Sequence, residues 1–356
     1  MATTPVLTFR GHRGAVNALL SDEDKQPHVL VSGSEDGSCR LWDVRTTRAT
    51  KCINVKKALG LSPQDDPDDA SVNSMAFGTA KNDSSPHYLY LAAGSKILTF
   101  DLRHEGLILD VAAQELFQDS DEELNHLAVH PGKQGKYLSA PDDNGDIRIY
   151  DLEAHRLFKT LRGQHSNICM CAPFRPNAPW DLVSGGMDGL LLFWDFSRGR
   201  LKFQIDLNAS GQSLEDVNAS TSGVNQMFNP PLVHSVAFTG NGKSFAAGLG
   251  DATVAVVDFN SKQIVRRLRN HHAAVSQVHF PVFKRDEWLV SAGNDAQITV
   301  WDYAAAVSRE GSDEEGAYVV KAFQVLDKPN AITSSQHQNL LHVADLSHVI
   351  SAYPLM

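Results

Sequence analysis

Leu30-Val31-Ser32-Gly33-Ser34-Glu35-Asp36-Gly37-Ser38-Cys39-Arg40-Leu41-Trp42-Asp43 decides the fold, because it returns twice without gaps. The second copy is Leu182-Val183-Ser184-Gly185-Gly186-Met187-Asp188-Gly189-Leu190-Leu191-Leu192-Phe193-Trp194-Asp195. The third is Leu289-Val290-Ser291-Ala292-Gly293-Asn294-Asp295-Ala296-Gln297-Ile298-Thr299-Val300-Trp301-Asp302. Each copy is an apolar run, a turn rich in Gly and Asp, and a second apolar run, which by period and turn chemistry predicts a β-hairpin.

Working outward, a third strand signal stands upstream of each hairpin, introduced by a histidine. His12 precedes Val16 to Leu19, His165 precedes Ile168 to Cys171, and His271 precedes Val275 to Val278. From His to turn Asp the spacing is 24, 23 and 24 residues (36−12, 188−165 and 295−271). From that Asp to the Trp it is six in every copy. A repeat of this kind cannot bury its apolar faces alone, so several copies must stack.

The pattern of a leading His, a turn Asp and a closing Trp-Asp resembles the WD-repeat family, whose fold is a ring of four-stranded blades. The resemblance implies an all-β, seven-bladed β-propeller. Weaker copies fill the gaps: Leu89 to Gly94 leads to Phe100-Asp101, Tyr137 to Ala140 leads to Tyr150-Asp151, and Phe245 to Gly248 leads to Val257-Asp258. A last copy runs from Ala331 to Tyr353 and ends one strand short, leaving Pro5 to Phe9, which has no blade of its own, to supply the missing strand and close the ring. The repeats then span 10–45, 72–103, 123–152, 162–196, 232–259, 269–303 and 328–354, the last completed by 5–9, as one domain.

Blade-ending aspartates fall at 43, 101, 151, 195, 258 and 302, in steps of 58, 50, 44, 63 and 44. Steps of 58 and 63 exceed a usual blade of about 40–45 residues and predict insertions, read as solvated loops over Leu61 to Asp69 and Asn208 to Pro231. Glu310 to Gly316 is a third acidic loop.

Size and composition agree with a large packed domain. The chain has 356 residues, 42% hydrophobic and 21% charged, with mean hydropathy −0.25, too apolar for disorder. Its formal net charge of −10 argues against whole-surface attraction to nucleic acid or anionic membrane. Cys39, Cys52, Cys169 and Cys171 show neither zinc spacing nor a disulfide framework and fit a reducing compartment. With no leader pattern and no apolar run of membrane-spanning length, the expected location is the cytoplasm or the nucleus, and the sequons at Asn82, Asn208 and Asn218 carry no weight.

His12, Ser32 and Asp36 carry the side chains of a hydrolytic triad, so catalysis needs a test. The trio recurs as His165, Ser184, Asp188 and as His271, Ser291, Asp295, each with Trp42, Trp194 or Trp301 six residues on, and one domain seldom holds three identical active sites. The family resemblance implies instead a buried chain of hydrogen bonds from Trp to Ser to His to Asp. Gly248-Leu249-Gly250 opens onto an alternating strand rather than a helix and reads as a turn, not a dinucleotide loop. Cys169 and Cys171, two apart, are expected on one strand face as core residues. No enzyme activity, cofactor or metal is implied.

One motif points to a partner. Trp42-Asp43-Val44-Arg45 is echoed by Phe100-Asp101-Leu102-Arg103, with Arg two after Asp in both. This resembles the Asp-x-Arg box of propellers that act as substrate receptors of cullin-4 ubiquitin ligases, and it implies contact of Arg45 and Arg103, with Asp43 and Asp101, with the damaged-DNA-binding adaptor subunit. The alternative is a general scaffold or a histone-tail-type reader that holds a basic peptide by charge complementarity. A protein monomeric on its own is expected, bound neither to membrane nor directly to nucleic acid. Finally, Ser120-Asp121-Glu122-Glu123 and Ser312-Asp313-Glu314-Glu315 resemble sites of acidophilic kinases, making Ser120 and Ser312 candidate phosphorylation sites.

Overall fold

The computed structural model describes residues 3–22, 24–62, 64–79, 86–112, 114–117, 120–132, 135–209, 229–308 and 314–356. Their strands form seven sheets arranged as the blades of a propeller, antiparallel except for one added parallel strand on the first blade. Blade 1 consists, from inner to outer strand, of Val16–Asp22, Gln26–Ser34, Ser38–Asp43 and Arg48–Asn54. Blade 4 (Cys169–Cys171, Asp181–Gly186, Leu190–Asp195, Arg200–Asp206) and blade 6 (Val275–His279, Trp288–Gly293, Gln297–Asp302, Val319–Gln324) repeat it, so the three best sequence copies occupy equivalent places.

Ring closure follows the strand arithmetic. The inner three strands of blade 7 are Pro329–Ser335, Leu340–Asp345 and Val349–Pro354, and its outer strand is Leu7–Arg10, paired Leu7 to Ala352 and Arg10 to Val349. No blade edge is left open between first and last, which removes the pairing hazard of a free strand at the seam.

The tight turns explain the glycines that punctuate the repeats. Gly37 and Gly189 end the turn between second and third strands with φ of +76° and +75°, where a Cβ is disfavoured. Blades 5 and 6 put Ala252 and Ala296 there at +67° and +58°, accepting a cost of roughly 1–2 kcal/mol each.

There is no single central core. Seven separate apolar clusters fill the seven seams between neighbouring blades; the seam of blades 7 and 1, for example, holds Phe9, Ile350 and Ala352 against Val16, Leu30 and Trp42. Second and third strands are therefore covered on both faces, and some, such as Leu190–Asp195, read as near-continuous apolar runs, whereas outer strands such as Arg200–Asp206 alternate in sequence.

Where the inner strand meets the second, the register slips by one residue in six blades, at Val16/Ala18, Val72/Ser74, Cys169/Cys171, Val233/Ser235, Val275/Gln277 and Pro329/Ala331. The extra residue of such a bulge is free to re-aim its side chain. Asn17 donates to Ser71 Oγ of blade 2 (3.2 Å), Ser276 to the Pro329 carbonyl of blade 7 (3.3 Å), and Asn330 to the Val16 carbonyl of blade 1 (3.3 Å). In blade 4 the bulge overturns the expectation of one face for the two cysteines: Cys169 packs with Ile147 and Trp194, Cys171 with Val183 and Val233, in different seams.

Candidate functional site

The histidines that introduce blades 1, 4 and 6 sit on the loops entering those blades, and the strand register delivers Ser and Trp to meet them. Leu30 pairs with Trp42, so Ser32 and Trp42 lie on one face of the hairpin within reach of each other. Trp42 Nε1 donates to Ser32 Oγ at 2.8 Å, Ser32 Oγ meets His12 Nε2 at 2.7 Å, and His12 Nδ1 meets Asp36 Oδ2 at 3.2 Å. The same three distances are 2.9, 2.8 and 3.0 Å in blade 4 (Trp194, Ser184, His165, Asp188). They are 2.8, 2.7 and 3.2 Å in blade 6 (Trp301, Ser291, His271, Asp295).

Donor arithmetic orients the chain of bonds. The indole N–H makes Ser Oγ an acceptor, the hydroxyl then donates to Nε2, and Nδ1–H donates to the carboxylate. Each Asp also accepts a backbone N–H, from Arg13 (2.8 Å), Ser166 (3.0 Å) or His272 (2.7 Å). Burial pushes these carboxyls up, but the His and backbone hydrogen bonds outweigh it and hold Asp36, Asp188 and Asp295 below the usual carboxylate range. This is the bond order of a hydrolytic triad, yet the three serines are 0% exposed and each Oγ already accepts an indole N–H. A substrate carbonyl has no approach to them, and the constellation serves to staple each loop to its hairpin.

Arg45 and Arg103 follow the third strands of blades 1 and 2. Both turn back on the aspartate two residues earlier: Arg45 donates from Nε to Asp43 Oδ1 (2.9 Å) and from Nη2 to Oδ2 (2.7 Å). Arg103 repeats this with Asp101 at 2.9 and 2.5 Å and adds a 3.3 Å bond to Tyr88 Oη. The Arg45 guanidinium holds Asp43 down at about 2, and Arg103 likewise lowers Asp101. Projection and ion pairing coincide, because these side chains stay 54% and 53% exposed. No described atom accepts from either Nη1. The later blades have Glu153, Ser197, Asn260 and Ala304 two after the aspartate, so the pair is confined to two neighbouring blades.

Ser120 does not lie on a solvated loop. It is buried, its hydroxyl within reach of the Glu122 carbonyl (3.0 Å) and Asp142 Oδ2 (3.2 Å), beneath an ion pair of Asp142 with Arg148, so the folded protein offers a kinase no access there. Ser312, and residues 210–228 of the longer insertion, lie outside the described residues.

Sequence reading missed a strap. After Arg103 the chain crosses to blade 1, where Cys52 and Ile53 pair in parallel with Ile108 and Leu109, and only then returns to form the outer strand of blade 2, Gln114–Phe117. Lys51 clamps it through the Gly106 carbonyl (3.1 Å) and Lys57 through Asp110. Leu107, Ile108 and Val111 are left 73%, 64% and 77% exposed. The 50-residue step between Asp101 and Asp151 was its one trace in the sequence.

Known proteins are similar to this chain in sequence. The family described as "WD domain, G-beta repeat" matches residues 3–43, 155–195 and 262–302, the blades with complete networks. WD repeat-containing protein 53 homolog of Dictyostelium discoideum is 30% identical, over 95% of this chain and 91% of its own length. The chain belongs to the WD-repeat family. More distant WD-repeat relatives include WD repeat-containing protein ATCSA-1 of Arabidopsis thaliana, 24% identical over 82% of this chain and 66% of its own. Apoptotic protease-activating factor 1 of Mus musculus is 23% identical over 77% of this chain but only 22% of its own length. As a WD-repeat propeller, this protein has the architecture of a protein-interaction scaffold. Among its described residues no helix is long and apolar enough to cross a membrane.

Proposed function

We propose that this propeller is a substrate receptor of a cullin-4 ubiquitin ligase and docks to the damaged-DNA-binding adaptor subunit through Arg45 and Arg103. One observation carries the reading: the two arginines make the same paired bonds to their own aspartates on adjacent blades and stay half exposed. A guanidinium whose rotamer is fixed beforehand loses little entropy when a partner carbonyl or carboxylate reaches it, which suits an interface anchor. Asp43 and Asp101 act as positioning residues for these donors.

In pull-downs the wild type retains the adaptor, and the double variant Arg45→Ala, Arg103→Ala loses it while melting normally by circular dichroism. Truncating an anchoring Arg costs more than about 2 kcal/mol, roughly a thirtyfold loss of affinity, whereas an ordinary rim Arg costs little. Equal capture by a folded double variant removes the arginines from the interface. No capture by wild type leaves a general scaffold, in which a chain of net charge −10 holds a basic peptide by charge complementarity.

A further inference from the structure

Between blades 4 and 5, two cations share one aromatic ring and a third stands beside them. The guanidinium carbon of Arg175 lies 3.9 Å from the Phe259 ring centroid, and Lys262 Nζ lies 3.6 Å from the same centroid and 4.4 Å from that of Phe193. Lys202 completes the group, with Nζ 2.6 Å from Asp181 Oδ1. Asp181 is already shared, because its other oxygen takes Arg175 Nη1 at 3.2 Å. The other carboxylate facing the cluster, Asp258, accepts from the Asn260 and Ser261 backbone and the Ser261 hydroxyl. Lys262 therefore has aromatic faces and the Phe259 carbonyl as neighbours and, among the described residues, no carboxylate of its own.

The backbone fixes this placement. Lys262 occupies the left-handed position that closes the turn from third to outer strand, φ +62°, where blades 1, 3 and 4 have Thr47, His155 and Gly199. A half-buried ammonium beside two other cations is poorly solvated and repelled. Partial burial first, then Arg175 and Lys202, bring this amine down to about 8 against the opposing pull of Asp181 and Asp258.

We propose that Lys262 is a selective acylation site, taking an acyl group from a thioester donor onto its ε-amine. The neutral amine adds to the thioester carbonyl, a C–N bond forms as the C–S bond breaks, the thiolate departs with the electron pair, and the surplus ammonium proton passes to solvent. The resulting amide carries no charge, which relieves the repulsion with Arg175 and removes one cation from Phe259. This modification is independent of the arginine pair on blades 1 and 2.

The test is a time course with acetyl-coenzyme A from pH 6.5 to 9.5, each lysine followed by peptide mass spectrometry. Lys57 and Lys136 are internal references, each ion-paired on the surface, Lys57 with Asp110 and Lys136 with Asp151 and Glu153. Lys262 is expected to react about tenfold faster than either at pH 7.5, with a rate rising through a midpoint near pH 8. Arg175→Gln, checked by its melt, should move that midpoint upward, and unfolding in urea should abolish the preference. Acylation of Lys262 no faster than the references in the folded protein, or a midpoint unmoved in Arg175→Gln, overturns the proposal.

Discussion

Two arginines at the same register position show what a buried charge requires. Arg40 and Arg148 each lie two residues before the aromatic residue, Trp42 or Tyr150, that precedes the blade-ending aspartate. Arg148 meets the fully buried Asp142, while Arg40 packs by Gly11 with its buried Nε unmatched by any acceptor among the described residues. Arg148→Met should therefore cost about 3–5 kcal/mol, because it leaves a carboxylate buried without its counter-charge. Arg40→Met should be neutral or stabilising, since it removes an unsatisfied donor and keeps the stem. Urea midpoints distinguish the two; equal losses would show that Arg40 is paired in solution. For the repeated network, Trp194→Phe and His165→Ala should each lower stability by about 1–3 kcal/mol by orphaning Ser184 and Asp188, and unchanged midpoints in both would refute its burial.

Regular elements were legible in the sequence where one residue pattern met one physical need. The hairpins, their turns and the three His-led strands follow from apolar period, Gly and Asp chemistry and constant spacing. Features that depend on a side chain from elsewhere were not. The strap over blade 1 is anchored by Lys51 and Lys57, more than 50 residues upstream of their partners. The bulge that parts Cys169 from Cys171 comes from pairing with Gly185 and Gly186. The burial of Ser120 depends on Asp142 and Arg148 of the following hairpin, which no acidic local motif announces. Within the strap, Leu109 is 6% exposed and packs into the seam of blades 1 and 2, whereas Ile108 faces outward. Leu109→Ala should cost about 2–5 kcal/mol and Ile108→Ala less than about 0.5. Similar small losses for both would mean that the strap is not docked in solution.

Around the whole ring, stability is divided among seven seams, and opening one bares the apolar faces of two blades. Deleting residues 1–10 removes Phe9 from against Trp42 (5.8 Å between ring centroids) and His342 (5.5 Å), and bares the edge at Val349–Pro354. The truncated protein should aggregate or melt without cooperativity; a melt like that of the intact chain would refute the closure.

Acid should open the ring as well. Burial lowers His126 and His279 to about 4 and His342 to about 3, so all three are neutral in the folded protein at pH 5. The unfolded chain takes up these protons near pH 6.5. Each depressed group thus contributes stability that is complete above pH 6.5 and is lost as the pH falls toward its folded value. The unfolding free energy should decline steadily from pH 6.5 to 4, and a flat profile over that interval would mean that these imidazoles are solvated.

The pairing of Leu7 with Ala352 also sets a clock for the protein's birth, since those partners are 345 residues apart (352−7). At roughly 5–20 residues per second, the strand made first waits about 17–70 s on the ribosome for its mate. Throughout that interval Phe9 and the outer face of Trp42 have no cover from blade 7. A nascent chain in this state exposes an unpaired strand and a half-built apolar seam, so chaperone demand should peak late in translation and end when Val349–Pro354 clears the exit tunnel.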